Sequence, residues 1–112
     1  MKYALFIGRW QPPHPGHEWL IRQKLDAGAP VAIAVRPTDE FLTTSVVCSR
    51  LIELFDDEVK AGQVVVFPLP VDIESVNYGR GVGYDIVEHI PPDDIGAISA
   101  TAIRASDGWA AT

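Results

Sequence analysis

A single cysteine, Cys48, stands in this chain of 112 residues. No internal disulfide can therefore staple the fold, and a reducing compartment is expected. Long apolar runs are also missing. None approaches the roughly 20 residues of a membrane-crossing helix, and the N-terminal apolar run is too short for a signal peptide and reads better as a first strand. Positive charge is scarce: nine Lys and Arg against fifteen Asp and Glu leave a net charge of -6. That balance argues against broad binding to nucleic acid or to an anionic membrane. Any anion site must be a local concentration of donors on an acidic body. There is no internal repeat, low-complexity tract or linker. With 47% hydrophobic and 21% charged residues, the composition is that of an ordinary globular protein. The expectation is one cytoplasmic domain over residues 1–112.

What remains is an alternation of apolar runs. Tyr3-Ala4-Leu5-Phe6-Ile7 reads as a buried strand. A helix from about Gly16 to Asp26 places Ile21 and Leu25 on one face and turns Arg22, Gln23 and Asp26 toward solvent. Gly28 ends it. Val31-Ala32-Ile33-Ala34-Val35 reads as a strand buried on both faces. Thr43, Thr44 and Ser45 are cap candidates for a second helix, whose seam runs through Val47, Leu51, Leu54, Phe55 and Glu58 up to Gly62. Cys48 falls within it as a core residue rather than a nucleophile. Gln63-Val64-Val65-Val66-Phe67 is a third strand, closed by Pro68 and Pro70. Strands separated by helices of this length argue for βαβ units and a parallel sheet with right-handed crossovers.

The chemistry concentrates in Gly8-Arg9-Trp10-Gln11-Pro12-Pro13-His14-Pro15-Gly16-His17, between the first strand and first helix. A glycine-marked loop there presents backbone N–H groups and the positive end of a helix to an anion. Gly8 would let a phosphate approach the backbone. Three prolines stiffen the turn. His14 and His17, three apart at the helix entrance, can donate hydrogen bonds to phosphate oxygens. Near the other end, Ser99 or Thr101 can cap a helix that carries Arg104 within one turn, a second place for terminal phosphates.

Both stretches resemble those of one family. The loop is similar to the Gly-Arg-Phe-Gln-Pro-Phe-His-x-Gly-His form of the HxGH signature of the nucleotidyltransferase superfamily. Ile98-Ser99-Ala100-Thr101-Ala102-Ile103-Arg104 resembles that family's Ile-Ser-x-Thr-x-Ile-Arg segment. The opening and closing motifs are closer to archaeal-type nicotinamide-mononucleotide adenylyltransferases than to glycerol-phosphate cytidylyltransferases. The resemblance implies a Rossmann-like three-layer α/β sandwich with a small, mostly parallel sheet. It further implies transfer of a nucleoside monophosphate, AMP from ATP, to a small phosphorylated acceptor, with release of pyrophosphate. The acceptor suggested is nicotinamide mononucleotide. In those roles His14, His17 and Arg104 would be catalytic, and Gly8, Arg9, Trp10, Gln11, Gly16, Ser99 and Thr101 would bind the nucleotide. Mg²⁺ would arrive with the triphosphate, since no carboxylate cluster suggests a protein-made cage. A zinc role for His14 and His17 lacks further ligands at fitting spacing. Trp10 replaces the usual phenylalanine.

Residues 71–94 are shorter than the matching part of those adenylyltransferases. Asn77-Tyr78-Gly79-Arg80-Gly81-Val82-Gly83-Tyr84 is either an anion-binding loop or a flexible turn, without the dinucleotide fingerprint. Arg36, Tyr78, Arg80 and Tyr84 are the candidates for the second substrate. A strand over Tyr84-Asp85-Ile86-Val87-Glu88-His89-Ile90 follows, with His89 structural or exposed, and then a rigid acidic turn, Pro91-Pro92-Asp93-Asp94. So small a chain leaves sheet edges and apolar faces bare, so a homo-oligomer is expected. Two alternatives stay open: a cytidylyltransferase for a phosphorylated alcohol, and a non-catalytic nucleotide-binding module.

Overall fold

The computed structural model describes residues 1–98 and residue 103. Their element order is β1 (Ala4–Gly8), α1 (Pro15–Leu25), β2 (Val31–Val35), α2 (Thr44–Leu54), α3 (Asp56–Lys60), β3 (Val64–Pro68) and α4 (Asp93–Gly96). The three strands form one parallel sheet in the order β1-β2-β3. Register runs Ala4↔Val31 to Gly8↔Val35 and Val31↔Val64 to Val35↔Pro68. The architecture is α/β and compatible with a Rossmann-like fold.

Strand order explains where the core lies. Both crossovers step the same way along the sheet, so right-handed connections put α1 and α2 on the same face. Paired residues in a parallel sheet point to the same side. The alternation of Val31, Ile33 and Val35 therefore meets Ile21, Val47, Leu51 and Phe55 in one fully buried cluster, joined by Val64 and Trp10. The opposite face carries Leu5, Ile7 and Val65, all exposed. The helices that pack on the sheet thus form a single layer on one side of it.

The helices follow local rules. Thr43 caps α2, its hydroxyl accepting from the Val46 N–H at 3.3 Å. Gly28 and Gly62 take left-handed conformations after α1 and α3, at φ 89° and 77°, which glycine adopts without penalty.

Several details differ from the sequence reading. The second helix is not continuous. Phe55 leaves helical geometry (φ -112°, ψ 35°), and the chain restarts as α3. Its ring is fully buried, with the Arg22 guanidinium 5.3 Å from the centroid. Arg22 is thus not simply turned to solvent: it bonds Glu58 at 2.6 Å and covers Phe55. Leu54, expected on the apolar seam, is exposed. No strand forms over residues 84–90, and the acidic turn begins a short helix, α4, beside α1. Cys48 is half-buried, and burial pushes its thiol pKa up.

Candidate functional site

The loop between β1 and α1 is built from the inside out. Trp10 adopts a left-handed backbone conformation (φ 55°), uncommon for a bulky residue. Its side chain turns inward in return: the ring is buried and the indole N–H donates to the Ala34 carbonyl at 3.2 Å. Gly8 makes room for it, because a Cβ there would lie 2.9 Å from the indole. Close packing of tryptophan, rather than backbone approach by a ligand, is what Gly8 visibly serves. Gln11 is also buried, at 4% exposure. Its amide donates to the Leu42 carbonyl at 3.0 Å and accepts from the Leu42 N–H at 2.8 Å. It thereby ties the β1–α1 loop to the loop after β2 much as a strand pairing would. The Gln11–Pro12 peptide is cis.

The two histidines close the first turn of α1. His14 is the N-cap in an extended conformation, and its Nδ1 accepts from the Gly16 N–H at 3.0 Å. His17 reaches back, its Nδ1 accepting from the His14 N–H at 3.2 Å. This reciprocal arrangement is a capping box made of imidazoles instead of hydroxyl and carboxylate. The rings stack, with centroids 3.7 Å apart and planes 21° off parallel. Gly16 permits the stack, since a Cβ there would lie 2.8 Å from Cε1 of His14. The edge of Trp10 meets His17 at 4.7 Å between centroids.

Those bonds set the protonation. An Nδ1 that accepts a backbone N–H carries no proton, so each neutral ring bears its proton on Nε2. Burial, and secondarily the neighbouring His14, lowers the His17 pKa to about 3. Burial lowers that of His14 as well. Around neutral pH the pair is uncharged and presents two Nε2–H donors at the positive end of an eleven-residue helix.

Two arginines stand at the carboxyl ends of β1 and β2. Arg9 follows β1 directly and its Nη1 bonds both oxygens of Glu40, at 3.0 and 3.1 Å. Arg36 follows β2; its Nε and Nη2 bond Asp72 at 3.0 and 3.3 Å. The Arg36 N–H donates to the Gly8 carbonyl at 2.9 Å, which places the two arginines beside each other at the carboxyl edge of adjacent strands. In open α/β sheets that edge is where ligands bind. Asp39 (φ 46°) accepts from the Thr44 N–H and hydroxyl at 2.6 and 2.9 Å, and the backbone bond first lowers its carboxyl pKa.

The structure therefore brings Gly8, Arg9, Trp10, Gln11, His14, Gly16, His17 and Arg36 into one region. Trp10 and Gln11 serve there as buried supports, with their polar groups engaged by backbone. Tyr78, Arg80 and Tyr84 are exposed on an irregular segment and make no hydrogen bond, ion pair or ring contact with the loop. Ser99, Thr101 and Arg104 lie outside the described residues. Glu40, Leu42 and Asp72 escaped the sequence reading. Their partners stand 31 and 36 positions away, and no local pattern announces such pairings.

Among the described residues no three His, Cys, Asp or Glu side chains gather as a metal site. A shallow pocket of about 440 Å³ opens elsewhere, lined by Thr44, Ser45, Cys48, Ser49, Ile52 and Pro68; no residue of the histidine loop lines it. No described helix is long and apolar enough to cross a membrane. Comparison with protein-family models, with curated proteins and with solved structures finds no match to this chain.

Proposed function

We propose that the His14–His17 turn binds the phosphates of a nucleoside triphosphate and that the chain is a nucleotidyltransferase, with ATP as donor and a small phosphorylated acceptor. The best candidate acceptor is nicotinamide mononucleotide. The observation that carries the reading is the locked pair of stacked imidazoles, each offering an uncharged Nε2–H at a helix N-terminus. The HxGH resemblance supports it. So does the carboxyl-edge location, which fits the Rossmann-like arrangement implied by that resemblance.

The reaction asks mainly for positioning and charge stabilisation. An acceptor phosphate oxygen attacks the α-phosphorus, the new P–O bond forms, and the α–β bridging bond breaks. Its electron pair leaves with pyrophosphate. Negative charge grows on the equatorial and leaving oxygens, where preorganised N–H donors lower the barrier. His14 and His17 supply such donors without releasing a proton. Arg9 and Arg36 would exchange Glu40 and Asp72 for phosphate oxygens, and Arg104 with Ser99 and Thr101 would hold the terminal phosphates. Mg²⁺ would be carried by the triphosphate's own oxygens. It neutralises phosphate charge when bound, and the described residues form no ligand set of their own for it.

One observation favours the non-catalytic alternative. Tyr78, Arg80 and Tyr84, the residues expected to meet the acceptor, stand exposed and apart from the loop. A module that binds ATP and acts through a partner would need only the histidine half. Calorimetric titration with ATP and with CTP tests the shared core of both readings and chooses between adenylyl and cytidylyl transfer. Binding should weaken at least about tenfold in His14→Asn and His17→Asn. Unchanged affinity in both variants would remove the histidines from the site.

A further inference from the structure

Three contacts fix the His17 ring, and one of them leads out of the loop. Its Nδ1 accepts from the His14 N–H at 3.2 Å, and the His14 ring stacks on it at 3.7 Å between centroids. Both of those contacts stay within the first turn of α1. The third comes from Trp10, whose ring stands at 81° to the imidazole with centroids 4.7 Å apart. Trp10 is itself hung from β2, the middle strand of the sheet. Its indole N–H donates to the carbonyl of Ala34, a residue 1% exposed. A packed path thus runs from the centre of the sheet, through the indole, to an imidazole beside its carboxyl edge.

The path is costly to build. Trp10 sits at φ 55°, a conformation that a bulky residue keeps only where its surroundings impose it. Gly8 is emptied for the ring: the three atoms nearest to a Cβ placed there, at 2.9, 3.0 and 3.2 Å, all belong to the indole. Filling the core accounts for the burial of Trp10. It does not account for the contact with His17. Perpendicular ring pairs favour a limited set of orientations, and a donor that stabilises developing charge must hold its direction beforehand.

We propose that Trp10 is a positioning residue for His17. The indole, tethered to Ala34, holds the imidazole in the orientation in which Nδ1 takes the His14 N–H and Nε2 keeps the proton for a phosphate oxygen. The placing of the ring stands on geometry alone; its consequence for binding rests on the phosphate-binding reading. Trp10 touches no ligand in this role. Its effect passes through His17 and from there to the stacked His14. The same cover keeps water from the imidazole, in line with burial as the first cause of the depressed His17 pKa.

Nitrogen NMR of the histidine rings and calorimetric titration with ATP, both on the full chain, are the test. In the wild type the two ring nitrogens of His17 should resonate far apart, as a single Nε2–H tautomer requires. Trp10→Phe keeps an aromatic ring but has no N–H for Ala34. There the two signals should draw together as the ring turns and its tautomers mix. ATP should bind that variant about three- to tenfold more weakly, up to the loss of one hydrogen bond to a charged group. Gly8→Ala pushes on the indole and should shift the His17 signals too, yet add nothing in a Trp10→Phe background. Unchanged His17 signals in a folded Trp10→Phe would leave the indole as core filling and overturn the proposal. Moved signals with unchanged ATP affinity would overturn its link to binding. A wild type that does not bind ATP would instead remove the phosphate-binding reading, and the ring signals would still decide whether Trp10 places His17. If Trp10→Phe does not fold, a tryptophan isostere with sulfur in place of the N–H, built in at position 10, is read the same way.

Discussion

At position 17 one imidazole satisfies a backbone donor at the start of α1, stacks on His14 and keeps its proton on Nε2. The capping role and the phosphate-donor role proposed for His17 therefore fall to the same ring. His17→Ala should lose about 3 kcal/mol of transition-state stabilisation, the scale of one preorganised donor. It should also lose about 1 kcal/mol of fold stability through the broken capping box. Turnover and urea unfolding of the variant check the two effects separately. Trp10→Phe isolates the indole N–H. The Ala34 carbonyl would lose its buried donor, so a destabilisation of about 1–3 kcal/mol is expected in denaturant titration. The histidines were legible from sequence because two of them straddle a helix entrance. The roles of Gly8, Trp10 and Gln11 were not. Nothing in a linear string shows that a tryptophan after a strand will turn into the core, or that a glycine serves its ring.

Among the elements, the clearest sequence signals were the β-branched apolar runs and the caps. β1, β2 and β3 lie within a residue of their expected places, and Thr43 caps α2 as one of three candidates. The split at Phe55 was hidden because a kink leaves the apolar seam almost unchanged in sequence. Residues 84–90 misled more seriously. A short apolar stretch reads equally well at a period of two or of 3.6, and no packed face fixes which one holds. The wall of the site formed by residues 36–43 is an element-scale device, tied by Gln11 to Leu42 and by Arg9 to Glu40. Gln11→Ala would leave the Leu42 N–H and carbonyl without their partner. A loss of about 1–3 kcal/mol is expected, with faster amide exchange at Leu42 while β2 stays protected. An unchanged Leu42 exchange rate would show that the tie does not hold the loop.

For the molecule as a whole, the neutral histidine pair makes stability depend on pH with a definite sign. His17 has an ordinary pKa of 6.5 in the unfolded chain and about 3 in the folded one. The unfolded state therefore binds more protons between those values. The stability contributed by the neutral ring is complete above about pH 6.5 and is lost as pH falls toward 3. After allowance for partial solvent access, the slope from His17 should be up to about 1 kcal/mol per pH unit. Urea unfolding at pH 7, 5 and 4 should show a steeper fall in the wild type than in His17→Gln, which cannot titrate. Activity should in turn show no acid limb near pH 6.5 from these rings, unlike a reaction in which one of them moves a proton.

Pyrophosphate release with Mg²⁺, each nucleoside triphosphate in turn and a panel of phosphorylated acceptors including nicotinamide mononucleotide tests nucleotidyl transfer most directly. Release that requires ATP and one acceptor, and that drops at least about a hundredfold in His17→Ala, is the outcome expected. Absence of release with every pair, alongside ATP binding that His17→Asn leaves unchanged, would contradict it.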